Sequence, residues 1–556
     1  MTQAKLELVL CWHMHQPEYR DPQDGRYRKP WTWLHGIKDY TDMAAHLETV
    51  PGARAVVNFS TILLEQLADC AARIERRLAG EAPIGDPLLD ALAGDLPGSA
   101  DERLALAAAC LHANRAHMVE AFPPYAELYR TAEQAVAAQA PLEDGELGEL
   151  VTWYVLAWTG ESVRRGHPPV RELLRRGRGF SPQDRRGLLE LVGRELAALI
   201  PRYRQLAARG IVELSLTPHA HPILPLLIDH RVAHEAMPEA PLPSRPYPGG
   251  RERAEWHVTR ALASFERHFG ARPAGCWPAE GGVSESTLAL LARAGFAWAA
   301  TGTNVLRHSL PGGAEGAHFR RWHATFRGVP IACFFRDDEL SDRIGFEYRS
   351  WDAAHAVDDF LARLDAIRRE WTGAEPPVVA IIMDGENAWE HFPYNGWFFL
   401  QHLYSKLVQQ PHVGLTTFGE LARRGGSAEL PRLTAGSWVY GNFALWIGDD
   451  EKNRAWERLG EAKAAADRAL ATRVRDAAAR EAVLEQLAVC EASDWFWWLG
   501  GDNDPAISRD FDEQFRRQLA GLYVRLGETP PQALHVRIAT HTRHSEEAGS
   551  MRRAGS

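Results

Sequence analysis

Two stretches of the chain end an apolar run in carboxyl groups, and they set the chemistry to look for. In VVAIIMDGENAWEHF, Val378 to Phe392, the run Val378 to Met383 gives way to Asp384, Glu386, Glu390 and His391. A continuous apolar run of that kind reads as a strand buried on both faces, so these groups stand at its carboxyl end. In AGCWPAEGGVSE a shorter run ends at Glu280, framed by a proline, two glycines and Trp277. An acidic first turn of a following helix accounts for either stretch alone. The two together point to paired carboxyl groups on two strand ends, which is what glycoside hydrolysis demands: one attacks while the other alternates as acid and base.

Histidines come in pairs at two further strand ends. His13 and His15 flank Met14 in HMHQPEYRD, and on an extended segment both imidazoles point to one side; the same is expected of His219 and His221 in TPHAHPILP. A rival chemistry follows from them, because HxH on the first strand of a barrel is how amidohydrolase-type enzymes begin a metal site. Asp384 would supply its late acid, but the bridging Lys or His on a middle strand is missing. Neutral histidines serve equally as hydrogen-bonding partners for sugar hydroxyls. Glu213 lies inside a strand, where it reads as a ligand contact or as the buried partner of an arginine.

The elements that must position these groups alternate strand with helix. Strands are expected at Leu6 to Trp12, Arg54 to Phe59, Ile211 to Leu216, Ala274 to Trp277, Phe296 to Thr301, Pro330 to Phe335 and Val378 to Met383, with Val413 to Thr417 an eighth or the lead-in to a helix. Residues 61–210 turn Ala-rich and helical and read as an insertion between strands. This favours an α/β fold with a closed barrel, since an open doubly wound sheet usually carries a Gly-rich phosphate turn after its first strand and none is present. After about residue 425 helices dominate again, around two aromatic stretches, GSWVYGNFALWIGDD and ASDWFWWLGGDND. These aromatics, Trp438 and Trp495 among them, are too many to leave exposed. Residues 426–540 are therefore expected to complete the site of the 1–425 barrel, and 541–556 to form a disordered tail.

Composition narrows the class. A formal net charge of −10 disfavours nucleic-acid binding through a basic surface. No run of about 18 apolar residues occurs, so no membrane span is expected. The 19 tryptophans suit sugar sites, and core packing as well. Six scattered cysteines, with no CxxC pair, argue against a disulfide framework or zinc site. MTQAKLELVLCW lacks the apolar run of a cleavable signal, and a cytoplasmic enzyme is expected.

In order along the chain, HMHQPEY, GIVELSLTPHAHPILP, CWPAEGGVSE, IIMDGENAWEHF and the ASDWFWW region resemble the five signature regions of glycoside hydrolase family 57. The resemblance implies a (β/α)7 barrel, a distorted TIM-like form, with a helical region packed on it, acting on α-glucans with retention of anomeric configuration and without a cofactor or a metal at the catalytic centre. It places the nucleophile at Glu280 and the acid/base at Asp384, with Glu386 a neighbouring competitor for the acid role. It matches His15 to a substrate-contacting histidine, and His13, Glu213, His221, Trp277, Asp494 and Trp495 to positions lining sugar subsites; His219 joins them from its spacing, and Trp438 from the aromatic loop. The WFWW run looks most like the hydrolytic amylase and amylopullulanase group, with 4-α-glucanotransferases and branching enzymes as alternatives. Oligomeric state is not fixed by these motifs.

Overall fold

In the computed structural model, which describes residues 5–542 and 550–554 apart from 311, 313, 314 and 427, ten strands form one sheet. They are β1 (Leu6–Met14), β2 (Ala55–Ser60), β3 (Val212–Thr217), β4 (Gly275–Cys276), β5 (Trp298–Gly302), β6 (Trp322–Phe326), β7 (Val329–Arg336), β8 (Val378–Asp384), β9 (Val413–Leu415) and β10 (Ala428–Glu429). Their order is β10-β6-β7-β5-β4-β3-β2-β1-β8, with β9 added on β1. Seven of them, β1 to β5, β7 and β8, are the parallel strands of a (β/α)7 barrel. Between β7 and β8 two hydrogen bonds replace a ladder, Asp337 N–H to the Ala380 carbonyl at 2.8 Å and Arg336 Nε to the Ile382 carbonyl at 2.8 Å.

The two-residue period of each strand divides the apolar residues between two cores. On β1, Leu8, Leu10, Trp12 and Met14 face the surrounding helices, while Val9 and Cys11 face the barrel interior. Val56, Trp298, Phe334, Ala380 and Ile382 fill that interior from the other strands. Phe418 and Leu421, on the helix Phe418–Arg423, plug its amino-terminal end. The segment read as an eighth strand is thus both things expected of it: three residues of β9 beside β1, then the plug helix. Besides the two-residue β10, the strand that sequence patterning misses is β6. It pairs antiparallel with β7 through a two-residue turn, Arg327 and Gly328, both at positive φ. That is the primed hairpin geometry, without the Asn-Gly or Asp-Gly that usually announces it.

Between β2 and β3 the chain makes a run of helices from Thr61–Leu78 to Pro182–Ala208. After the barrel come Asp450–Thr472, Ala477–Cys490 and Pro505–Arg525. This second helical region is bolted to the barrel by buried charge. Glu491, fully buried, accepts from Arg253 at 2.7 Å, from His257 at 2.7 Å and from the Tyr247 hydroxyl. Arg253 and His257 hold its carboxyl at about 2 against the opposing effect of burial. His257 faces two acceptors, Glu491 and the His219 carbonyl, a pair only the doubly protonated ring satisfies, while burial works against its charge. Of the segment expected to be disordered, 543–549, 555 and 556 lie outside the described residues. Ala554 is buried, its N–H donating to Asp342 at 2.9 Å and its carbonyl accepting from the Tyr440 N–H at 2.7 Å.

Removing one partner of a buried ion pair costs about 3–5 kcal/mol, because the other charge is left uncompensated. Glu491→Gln should accordingly lower the thermal midpoint by several degrees. The carboxyl is depressed from 4.5 to about 2, so its contribution is complete above pH 4.5 and is lost as pH falls towards 2. Wild-type stability should fall across that window and the variant's should fall less; equal slopes in thermal melts would contradict the assignment.

Candidate active site

The inward stripe of each strand turns polar at its carboxyl end. On β1 the stripe Val9, Cys11 continues as His13 and His15; on β2, Val56 is followed by Asn58 and Ser60; on β7, Phe334 by Arg336; and on β8, Ile382 by Asp384. Register places His13 opposite Asn58 on one side and opposite Asp384 on the other. The mouth of the barrel therefore collects the polar groups over a dry floor, as in other βα barrels.

Glu280 follows β4 on a turn that puts its backbone at φ 57°, a left-handed conformation that costs a non-glycine residue about 1 kcal/mol or more. What holds it there is the aromatic loop. The Trp438 N–H donates to the Glu280 carbonyl at 3.0 Å, and the Trp438 indole donates to Glu280 Oε2 at 2.9 Å. Gly302, at the end of β5, meets the Trp438 backbone so closely that a Cβ would lie 2.8 Å from its Cα. The Arg336 guanidinium sits 5.4 Å from the centre of the Trp438 ring. Although deep in the cleft, Glu280 keeps 16% of its side chain open.

Burial pushes both acids up. Asp384 rises to about 6, opposed by an Asn387 amide 2.9 Å away and by the charges of His15 and Arg336. Glu280 rises well above the ordinary range through burial and the negative charge of Asp384, with the Trp438 indole opposing. Two carboxyl groups coupled in this way compete for a proton. With more donors on Asp384, that proton favours Glu280 in the empty site.

Beside the acids stands a stack of three imidazoles. His15 and His221 lie face to face at 3.7 Å with 10° between planes, and His13 meets His221 at 5.1 Å. Their protons can be followed. Asn58 Oδ1 accepts from Thr217 and faces His13 Nδ1 at 2.7 Å, so that nitrogen carries hydrogen. His13 Nε2 then accepts from His221 Nε2 at 3.0 Å, and His221 Nδ1 accepts from the Ser493 hydroxyl at 2.8 Å. Both rings are neutral in this chain, in keeping with burial, which holds His13 down to about 3 and His221 lower than ordinary. His15 donates from Nε2 to Asp494 at 2.9 Å and meets Ser60 through Nδ1 at 2.7 Å.

The structure thus brings together Glu280, Asp384, His13, His15, His221, Trp438 and Asp494. Five other residues named from the sequence lie outside this cluster. Glu213 sits at the opposite end of the barrel, where it accepts from the Trp298 indole at 2.7 Å and from the Gly419 N–H at 2.7 Å; it fastens the plug helix. His219 is fully buried and turns to Thr61 at 2.9 Å and Glu485 at 2.9 Å, because Ala220 and His221 adopt positive φ and break the extended alternation on which a shared face depends. Trp495 packs into the C-terminal helices against Phe515, its indole on the Val489 carbonyl at 2.7 Å. On the one-turn helix Asp494–Trp497 it cannot share a direction with Asp494. Trp277 is wholly buried under Trp438, edge to face at 5.4 Å, and supports the floor. Glu386 is buried too, accepting from the His15 N–H at 3.2 Å and the Gln16 amide at 3.3 Å. Burial and the charge of Asp384 push it well up, and through these two bonds it pins the first motif. Arg336, Asn387 and Ser493 belong to the site and were not named from the sequence. Arg336 carried the same signal as Asp384, a charge closing an apolar strand.

His15, His221 and Asp494 hold ligand atoms within 4.8 Å of one another, the count a metal centre would need. Their geometry does not suit one. Parallel stacked rings carry parallel in-plane lone pairs, which do not converge on a point, and each ring nitrogen already has a partner. The set works as hydrogen-bonding groups.

Two carboxyl groups at the mouth of a (β/α)7 barrel, flanked by neutral histidines and tryptophan, define a glycosidase. The sequence profile of Glycosyl hydrolase family 57 matches residues 9–433, and the chain belongs to that family. No curated protein sequence matches it. Among solved structures it resembles the branching enzyme of Thermococcus kodakaraensis (16% identity, TM-score 0.56, 98% of each chain). It also resembles the α-amylase AmyC of Thermotoga maritima (15% identity, TM-score 0.57, 96% of each chain) and the 4-alpha-glucanotransferase of Thermococcus litoralis (12% identity, TM-score 0.51, 93% of this chain and 60% of that one). At these identities the likeness is one of fold.

Two outcomes are expected of the site. Dialysis against a strong chelator should leave turnover unchanged, and a loss that zinc restores would mean that the imidazoles swing apart to hold a metal. The acid limb of kcat/KM should fall near pH 6, where Asp384 takes up a proton. Asn387→Ala removes a donor to the charged form, so the limb should move to higher pH; an unmoved limb would detach it from Asp384.

Proposed function

We propose that the protein is a retaining glycoside hydrolase of α-glucans, of α-amylase or amylopullulanase type, working by double displacement in the cytoplasm. What supports this reading is the placement of Glu280 and Asp384 together at the barrel mouth, where burial raises both and the charge of Asp384 raises Glu280 further. A bound glucan displaces water from Asp384 and sets the electropositive anomeric carbon against Glu280; both changes move the proton to Asp384. Glu280 then attacks that carbon as the C–O bond breaks, and Asp384 gives its proton to the departing oxygen. In the second half Asp384 takes a proton from water, which displaces Glu280 and restores the starting configuration. His15, Asp494 and Trp438 offer the sugar hydrogen-bonding groups and an aromatic face. Six cysteines, all free and buried, suit a reducing compartment.

Azide separates the two roles. Asp384→Ala should lose about 10²–10⁴-fold in turnover and recover with azide, which attacks the β-linked glycosyl-enzyme and leaves an α-glycosyl azide. Glu280→Ala, if rescued, should give the β-azide directly. Rescue of Glu386→Ala in place of Asp384→Ala, or a β-anomer as the first product from an α-glucan, would sink the assignment. Chromatography of products from maltoheptaose, amylose and pullulan decides the rest: shorter chains are expected, and longer or newly branched ones would make the enzyme a transferase.

A further inference from the structure

A groove of about 460 Å³ lies beyond the acids, between the helical insertion and the segments that follow β7 and β8. Asn114 and His117 form one wall, Arg349 and Trp351 the other, and His391 and Pro393 the end. The volume is that of an ordinary small-molecule site. Among the described residues, the large aromatic side chains that stand exposed all belong to this edge of the molecule: Trp351 at 43%, Tyr394 at 56% and Phe398 at 37%. Tyr394 and the following Asn395 are both at positive φ, so the turn that displays the tyrosine is a strained one.

The groove is tied to the catalytic loop. His391 is seven residues from Asp384, which limits their separation to about 25 Å by chain reach alone. The loop between them is folded back on itself, the Trp389 indole donating to the Gly385 carbonyl at 2.9 Å. A polymer held at the acids thus has the groove within reach. The lining chemistry favours a neutral polyhydroxyl ligand over an anion. Glu390 lies 3.6 Å from His391 and offsets the charge of Arg349. Burial holds His391 below the ordinary imidazole range, and a neutral imidazole both donates to and accepts from hydroxyl groups. Asn114 and Ser350 add further groups of both kinds, and Trp351 supplies the flat apolar face on which a sugar ring stacks.

We infer that this groove is a secondary carbohydrate site, in which Trp351 carries an internal stretch of the same glucan chain whose scissile bond lies at Glu280 and Asp384. It rests on the α-glucan reading above. Its effect is on long chains, since a short oligosaccharide filling the catalytic centre does not extend to Trp351.

Native electrophoresis through amylose, with Asp384→Ala as the background so that the polymer survives, tests it directly. The background protein should be retarded. Adding Trp351→Ala should weaken retention roughly five- to tenfold, the worth of one lost stacking contact, and Trp351→Phe should keep most of it. Equal retention with and without Trp351, or no retention of either, overturns the proposal. In the enzyme with Asp384 intact, Trp351→Ala should raise KM for amylose and leave maltotriose turnover unchanged; a parallel loss on maltotriose would mean that Trp351 merely supports the catalytic loop. Retention that depends on Trp351, without turnover of any α-glucan by the wild type, would count against the catalytic reading and not against the groove.

Discussion

Burial raises both carboxyl groups at the mouth of this barrel, and the charge of Asp384 raises Glu280 further, so the two compete for a proton and much of the mouth is arranged around that competition. The surroundings supply unequal help: an amide, a histidine and an arginine for Asp384, and a single indole N–H for Glu280. His13 and His221 are held below the ordinary imidazole range by burial, so these two add hydrogen bonds without adding cations that would discharge the pair. Had His13 and His221 been protonated, both acids would ionise, and no proton would remain for a leaving group. The neutral chain from Ser493 through His221 and His13 to Asn58 is thus part of the acid chemistry, although none of its members is an acid.

The same logic gives Trp438 its place. A carboxyl group that follows a short strand, β4 having only two residues in the ladder, has little sheet to fix it. Its position comes from the loop beyond the barrel, through one backbone and one side-chain hydrogen bond from a single tryptophan. The left-handed backbone of Glu280 is tolerable because those two bonds over-determine it, and Gly302 is the clearance that lets Trp438 approach.

Much of this was legible in the sequence, for a physical reason. A barrel strand must be apolar on both faces, so a charge at its end stands out, and the strand ends at His13, Glu280 and Asp384 were found that way. The errors share a cause as well. Glu213 lies on the inward face, as its position in the strand required, but strand patterning does not distinguish the floor of a barrel from its mouth. His219 and His221 were assigned one face by the alternation of extended chain, and two residues in left-handed conformation undid it. Trp495 and Asp494 are neighbours in sequence and point apart on a helical turn. Dihedral angles at single residues decided these outcomes, and apolar patterning carries no record of them.

The docking of the C-terminal helices couples stability to the site. Glu491 anchors this region in a buried network with Arg253, His257 and Tyr247, and two residues later Ser493 meets His221, with Asp494 meeting His15 next. Anchor and site are consecutive in the chain, and the Ser493 N–H also donates to the His221 carbonyl at 2.9 Å. A motion that lifted this region off the barrel would break the buried ion pair and the imidazole chain together. Charge buried without its partner is costly, so such lifting is disfavoured as a way to admit substrate. On another side of the barrel mouth stand the exposed aromatics Trp351, Tyr394 and Phe398, Tyr394 on a strained turn. A polymer entering there meets the catalytic loop before it meets the docked helices, and its charge-poor hydroxyls disturb neither the contested proton nor the neutral histidines until a sugar ring reaches the acids themselves.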